Sequence, residues 1–262
     1  MRTWFEDFWT DALDAFKRAA RATDGTVNDV FLAAVAGALD EYHRRQDAPV
    51  RAVRVTMPIS IRRSGDRLGG NRFTPARFTL PIDDPDPRAR IAIAGAIVRR
   101  WRSEPAVAST SLLAAGLDLL PRPVVTRLFG DMLRTIDVDV VDVPGLDRAA
   151  FIGGARIDLL WAFAPPTGAA LSITLVSHGG TGCVAVACDR AAVADPPLLA
   201  RCLDDALDEV LALGRTAPKA RPKARPKSGA KARPTARTTG RPTTAAKARP
   251  KASRPAAAGR PA

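Results

Sequence analysis

The stretch that most constrains this chain is Gly25-Thr26-Val27-Asn28-Asp29-Val30-Phe31 and the apolar run that follows it to Leu39. Val27, Val30, Phe31, Ala34, Ala38 and Tyr42 recur at the i, i+3, i+4, i+7 spacing of a helix that buries one face. Thr26 can accept from the first-turn amides, and Asp29 stands three residues on, where a capping box wants a carboxylate. The spacing therefore predicts a core helix with a fixed start. Asn28 adds little to helix propensity, which makes it a candidate for holding another segment.

Charge decides where the body ends. Of the 40 Lys and Arg residues, 15 lie from Arg215 onward with no acidic residue among them, leaving 25 against all 27 Asp and Glu, a net charge of −2 for residues 1–214. Six of the seven lysines sit in that tail, so the high isoelectric point describes the tail and not the body. At 262 residues the chain could hold one large domain or two small ones.

Cys183, Cys188 and Cys202 form no C-x-x-C pair and have no histidine cluster beside them, which suits a reducing cytosol and three small buried hydrophobes. The N-terminus carries Arg2, Glu6, Asp7 and Asp11, where a signal peptide needs an unbroken apolar core. Residues 159–187 are free of charge and long enough to span a bilayer. Pro165-Pro166-Thr167-Gly168 and Gly179-Gly180-Thr181-Gly182 interrupt them twice, as turns between strands would, so no transmembrane segment is expected.

In chain order, Trp4, Phe5, Phe8, Trp9, Ala12, Leu13 and Phe16 read as the apolar face of a first, amphipathic helix, with residues 1–13 as a separate N-terminal segment. After the core helix, Val53, Val55, Met57, Ile59 and Ile61 alternate with polar neighbours as a half-buried strand does, and Pro58 places that strand at an edge or on a bulge. A Gly- and Arg-rich loop, 65–71, leads to a second strand with Phe78, Leu80 and Ile82 on one face. Asp84-Pro85-Asp86-Pro87 opens a helix over 88–102 with Ile91, Ala94, Gly95, Val98 and Trp101 facing inward. A further helical stretch is expected from Ser111 through Leu120 and beyond Pro123 to Leu133. Strands follow at 136–143, 157–163, 170–176 and 183–187, and Pro196-Pro197 opens a last helix to Leu213. Strands and helices in this mixed order predict an α/β body, a mixed sheet covered by helices on one side.

Six short motifs carry a resemblance. Gly25 to Val30, Met57-Pro58-Ile59-Ser60-Ile61-Arg62, Gly70-Asn71-Arg72-Phe73, Asp142-Val143-Pro144-Gly145, Gly154-Ala155-Arg156 and Asp189-Arg190-Ala191-Ala192-Val193 resemble, in order, the C-terminal half of the bacterial wax ester synthase/diacylglycerol acyltransferase family over residues 14–213. The resemblance implies one lobe of a coenzyme A-dependent acyltransferase sandwich of the chloramphenicol acetyltransferase-like kind. Its implied role is triacylglycerol or wax ester synthesis, with acyl-CoA as co-substrate, diacylglycerol or a long-chain alcohol as acceptor, and no bound cofactor or metal. By resemblance, Asn28, Asn71 and Asp142 line or support the channel between two lobes. Asp29 has the same implied role besides its cap.

In that family the first lobe carries His-His-x-x-x-Asp-Gly, whose second histidine takes the acceptor's proton; such chemistry needs a group with pKa near neutrality beside the hydroxyl. The only histidines here are His43 and His178, neither with that context. No catalytic residue is therefore assigned, and His178, in a Ser-His-Gly-Gly turn, is the weak candidate base. His43, at a helix end beside Arg44 and Arg45, is expected to be solvated. Asp142 stands where the family commonly has Asn, adding charge at a turn expected to face the channel.

The last segment, 215–262, repeats Lys-Ala-Arg-Pro without aromatics and reads as a disordered basic tail. It would bind nucleic acid by charge alone, without base stacking and with steep salt dependence, and an anionic lipid surface would attract it equally. The expected setting is cytoplasmic, peripheral at a membrane or lipid droplet. Two readings follow: the second lobe of a split or truncated acyltransferase, completed by a separate His-His-bearing lobe, or a non-catalytic lipid- or partner-binding protein tethered by its tail.

Overall fold

The computed structural model describes residues 3–60, 73–103, 121–125, 127, 135–146, 148–164 and 168–216, with the backbone alone for 3–11. The chain divides into units Met1–Ala220 and Arg221–Ala262, and every described residue falls in the first. In chain order the elements are β1 (Thr3–Ala12), α1 (Leu13–Ala22), α2 (Val27–Arg45), β2 (Ala52–Ser60), β3 (Phe73–Pro81) and α3 (Pro87–Ser103). Then come β4 (Val138–Pro144), β5 (Phe151–Ile152), β6 (Ala155–Arg156), β7 (Leu171–His178), β8 (Thr181–Asp189) and α4 (Pro196–Thr216). Six strands form one mixed sheet in the order β1-β8-β7-β4-β2-β3, parallel only at β2–β4 and β4–β7. The helices cover one face of it.

The core helix forms as its spacing predicts. The Asp29 amide donates to Thr26 Oγ1 at 3.2 Å and the Thr26 amide donates to Asp29 Oδ2 at 2.9 Å, so two of the orphan donors at the α2 start are satisfied reciprocally. From Val30 to Leu39 nearly every side chain is buried, because α2 lies between α3 and α4 above the sheet. The sheet face beneath it alternates strictly. Val53, Val55 and Met57 on β2, Val138 and Val140 on β4, Leu171, Ile173 and Leu175 on β7, and Val184, Val186 and Cys188 on β8 all join the helix-side core.

A buried arginine ties the helix layer together. Arg90 on α3, 6% exposed, donates to the Asp84 carbonyl and pairs with Glu209 of α4, its guanidinium lying against Gly37 of α2. A Cβ at residue 37 would stand 2.8 Å from Arg90 Nη2, so the absence of a side chain there makes room for the ion pair. All three cysteines are free and buried, as the sequence predicts.

Four expectations are corrected. The N-terminal residues form a strand and not a helix: β1 runs antiparallel to β8, with a register shift between Asp7 and Thr10. Without it β8, buried along nearly its whole length, would be an apolar edge with unpaired backbone, and the aromatics of 4–9 have the strand propensity to cover it. Second, residues 157–163 form no strand. They leave the end of the sheet without joining either edge strand, β1 or β3, and the unforeseen hairpin β5–β6 precedes them instead. Third, β2 is internal and regular, but Pro58 finds the reason for its tolerance there. The Arg54 carbonyl points toward β4 and accepts from the Asp137 amide at 2.9 Å, so Pro58, four residues on, turns its missing N–H to the same side, beyond the last bridge at Thr56–Asp139. Fourth, His43 is half-buried, its ring edge-on to Tyr42 with centroids 5.8 Å apart.

The helix expected over 111–133 falls largely outside the described residues, and residues 122–125 are helical. The basic tail beyond Thr216 also lies outside them, as does Ile61. Among the described residues no helix is long and apolar enough to cross a membrane.

Candidate functional site

Asn28 and Asp29 occupy the first turn of α2, Asn28 half-buried and Asp29 3% exposed. The Asp29 carboxylate lies over Gly95 of α3: a Cβ there would stand 3.2 Å from Asp29 Oδ2 and 2.8 Å from Arg99 Nη1. The charge of Arg102, one turn further along α3, draws the carboxyl pKa of Asp142 on β4 down, while burial has the larger effect and pushes it up to about 6. The C-terminal half of α3 thus passes from Asp29 to Asp142 on the helix side of the sheet. Asp142 lies within β4 and not in the turn after it, which corrects the expectation of a turn charge. Asn71 lies outside the described residues.

His178 is elsewhere. It is the last residue of β7 and not a turn residue, 2% exposed, and its parity turns it to the sheet face opposite the helices, away from Asp142. The turn itself is Gly179-Gly180, at φ +57° and +89°, the left-handed pair a two-residue hairpin requires. His178 Nε2 lies 3.1 Å from the Ile157 carbonyl, which can only accept, so Nε2 donates, and among the described residues the buried Nδ1 has no hydrogen-bond partner. The imidazole thereby pins the start of the 157–164 segment to the end of the sheet.

The same face carries a polar row that sequence reading missed. Arg77, Thr56, Asp139 and Ser172 stand directly across from one another on β3, β2, β4 and β7. Asp139 is 7% exposed; burial raises its carboxyl to about 6, opposed by the charge of Arg77. Among the described residues Ser172 Oγ is buried without a hydrogen-bond partner. The signal was present in Val138-Asp139-Val140-Val141-Asp142, where two carboxylates interrupt an otherwise apolar strand. Among the described residues no His, Cys, Asp and Glu group could hold a metal ion.

At the end of the sheet, Gly145 donates its amide to the Ser177 carbonyl at 2.7 Å, and the hairpin that follows presents apolar side chains outward. Phe151 is 62% and Ile152 72% exposed, and Val143, Leu146, Leu159 and Phe163 are exposed beside them in sequence.

This arrangement of strands and helices is one lobe of the acyltransferase and condensation-domain kind. Wax ester synthase/diacylglycerol acyltransferase from Marinobacter aquaeolei VT8 superposes with a TM-score of 0.57 at 21% identity, over 81% of this chain and 49% of that one. A condensation domain from the enacyloxin polyketide synthase does so at 0.52 and 15% identity, over 85% and 43%. The model of the WS/DGAT C-terminal domain matches residues 69–211, and the chain belongs to that family. A Mycobacterium tuberculosis H37Rv protein provisionally named diacylglycerol O-acyltransferase is 34% identical over 226 residues, 84% of this chain and 46% of its own length; a second from that strain is 26% identical over 194 residues, 71% and 41%. The chain spans less than half the length of these relatives.

Proposed function

We propose that this chain works as the second half of a two-lobed O-acyltransferase, moving an acyl group from acyl-CoA to diacylglycerol or a long-chain alcohol together with a lobe bearing His-His-x-x-x-Asp-Gly. The observation that carries this reading is the superposition of the described body on half of a wax ester synthase, with an apolar hairpin and the segment after it left uncovered. In the reaction the acceptor oxygen forms its bond to the acyl carbon as the carbon–sulfur bond breaks; the hydroxyl proton passes to the partner lobe's imidazole and on to the leaving thiolate. Asn28, Asp29, Asn71 and Asp142 act as positioning residues on the channel wall, not as catalytic ones.

Incubated alone with labelled acyl-CoA and either acceptor, the purified chain is expected to show no turnover. Addition of the His-His-bearing half restores it. In that mixture Asn28→Ala lowers kcat with an unchanged melting temperature, whereas Asp29→Ala lowers both, since loss of the carboxylate's bond from the Thr26 amide costs about 1 kcal/mol. Turnover by the chain alone that disappears in His178→Ala overturns the proposal. Failure of every His-His-bearing half to restore activity favours the second reading, a non-catalytic binding protein. For that reading the sequence of 215–262 supplies the support, and deletion of 217–262 would abolish a salt-sensitive binding to nucleic acid or anionic vesicles.

A further inference from the structure

A cavity of about 850 Å³, within the range of small-ligand sites, opens between α2 and α4. Gly37, Asp40, Glu41 and Arg44 on α2, and Cys202, Asp205, Ala206 and Glu209 on α4, each stand at i, i+3, i+4, i+7 spacing, so both helices turn one face to it. Helical rise puts Asp40 roughly 16 Å along the α2 axis from Asp29, so the cavity is separate from the candidate channel wall. Its lining is charged, and most of those charges are spent on one another. Arg44 Nε donates to Asp40 Oδ2 at 3.4 Å and its Nη2 to Glu41, Arg45 Nε donates to Glu41 Oε1 at 2.6 Å, and Arg90 pairs with Glu209. Arg51, Asp83 and Asp205 also line the cavity; all three are exposed and make no ion pair among the described residues.

Backbone bonding sets two of these three on one wall. The Ile82 amide donates to the Arg51 carbonyl at 2.9 Å where β2 and β3 pair, so Asp83 follows at once beside Arg51. Arg90 Nη1 donates to the Asp84 carbonyl at 3.1 Å, which brings the buried guanidinium to the same wall. Arg90 is 6% exposed, and its Nε has no hydrogen-bond partner among the described residues, so the floor keeps a buried donor that wants an oxygen. Asp205 stands across from them on α4. A guanidinium beside a carboxylate matches the head of an α-amino acid, which carries a carboxylate and an ammonium on one carbon. The facing carboxylate matches a second cation at the end of the side chain, and would repel an anionic one.

We infer that this cavity binds a free α-amino acid with a cationic side chain, its carboxylate at Arg51 on the wall shared with Arg90, its ammonium at Asp83 and its side-chain cation at Asp205. The three unpaired lining charges, +1 and −2, sum to −1, and such a ligand carries the opposite net charge. Occupancy is independent of acyl transfer, because every group it uses belongs to this chain and none belongs to the candidate channel wall.

The test is calorimetric titration of the full chain at low salt with L-arginine and, separately, with three analogues that each lack one of its charges. Saturable L-arginine binding is expected. L-Citrulline, without the side-chain cation, Nα-acetyl-L-arginine, without the ammonium, and agmatine, without the carboxylate, should each bind roughly tenfold more weakly, the cost of one lost charged hydrogen bond. Asp205→Asn weakens L-arginine by a similar factor and erases its preference over L-citrulline, and Arg51→Gln does the same for the preference over agmatine. Asp208→Asn, an exposed carboxylate of α4 outside this cavity, leaves binding unchanged. Circular dichroism confirms that each variant is folded; should Asp205→Asn not fold, Asp83→Asn takes its place, with Nα-acetyl-L-arginine as the paired analogue. Absence of saturable L-arginine binding, or binding unchanged in both the Arg51→Gln and the aspartate variants, overturns the inference. L-Citrulline binding as tightly as L-arginine overturns the assignment of Asp205, and Nα-acetyl-L-arginine doing so overturns the free amino acid as the ligand.

Discussion

Gly145→Ala is expected to destabilise the body by about 3 kcal/mol, a fall in melting temperature of roughly 6–12 °C at this size. A Cβ at this position would stand 2.4 Å from the Ser177 carbonyl oxygen and 3.2 Å from its carbon. Both are backbone atoms of β7, held in register by β4 on one side and β8 on the other, so no flexible side chain can give way. The close approach is what lets the Gly145 amide donate to Ser177 at 2.7 Å and carry the chain out of β4 toward the exposed hairpin. The Val-Pro-Gly turn thus has a packing reason in this chain that is independent of any ligand. Gly179 makes the contrast. Its φ of +57° suits glycine or asparagine, and nothing lies within 4 Å of the side chain a substitution would add. Gly179→Asn should therefore cost only a few tenths of a kcal/mol. Thermal melting followed by circular dichroism checks both, and equal effects at the two positions would mean that conformation, not contact, decides at residue 145.

The legible part of the fold was the part written in local periodicity. The Thr26 cap and the α2 stripe, the β2 alternation through Ile59, and the strands on either side of Gly179-Gly180 each have a pattern that a few neighbouring residues settle. The misreadings come from partners distant in sequence. Trp4, Phe5, Phe8 and Trp9 fit a helical stripe as well as a strand, and what selects the strand is the open edge of β8, some 180 residues away. Residues 157–163 have strand composition but join no strand, their start held by His178 at the end of β7. At the candidate site, the motif residues named from resemblance divide by sheet face: Asp142 belongs to the helix side with Asp29, and His178 to the other. Parity along a strand was readable, but which parity faces the helices is fixed only when the six strands are in register. Asp139 was invisible for the same reason, as its burial depends on the face it takes.

The second large effect concerns that carboxyl. Asp139→Asn is expected to stabilise the body at pH 7.5 by about 2 kcal/mol, a rise of roughly 4–8 °C, and to leave it nearly unchanged at pH 4. Burial lifts the folded carboxyl from 3.8 to about 6. Between those values the folded chain holds a proton that the unfolded chain has released, so stability is greatest below the unfolded value, falls as pH rises through the window, and is flat above it. Above pH 6 the fold carries an ionised, poorly solvated carboxylate whose nearby cation, Arg77, only partly offsets burial. The amide removes that charge in nearly the same shape and can donate to Ser172 Oγ across the strand pair. Asp142→Asn should act in the same direction, and the two should add because they lie on opposite faces of the sheet. Asp137, two residues before Asp139, should behave oppositely. Hydrogen bonds from Arg54 hold its carboxyl below the usual range, so its small contribution is present at neutral pH and is lost only as pH falls through its lowered folded pKa. Asp137→Asn is therefore mildly destabilising at pH 7.5. Melting curves of the three single variants between pH 4 and 8 separate these signs, and a loss of stability in Asp139→Asn at pH 7.5 would show Arg77 and Asp139 to be a net stabilising ion pair instead.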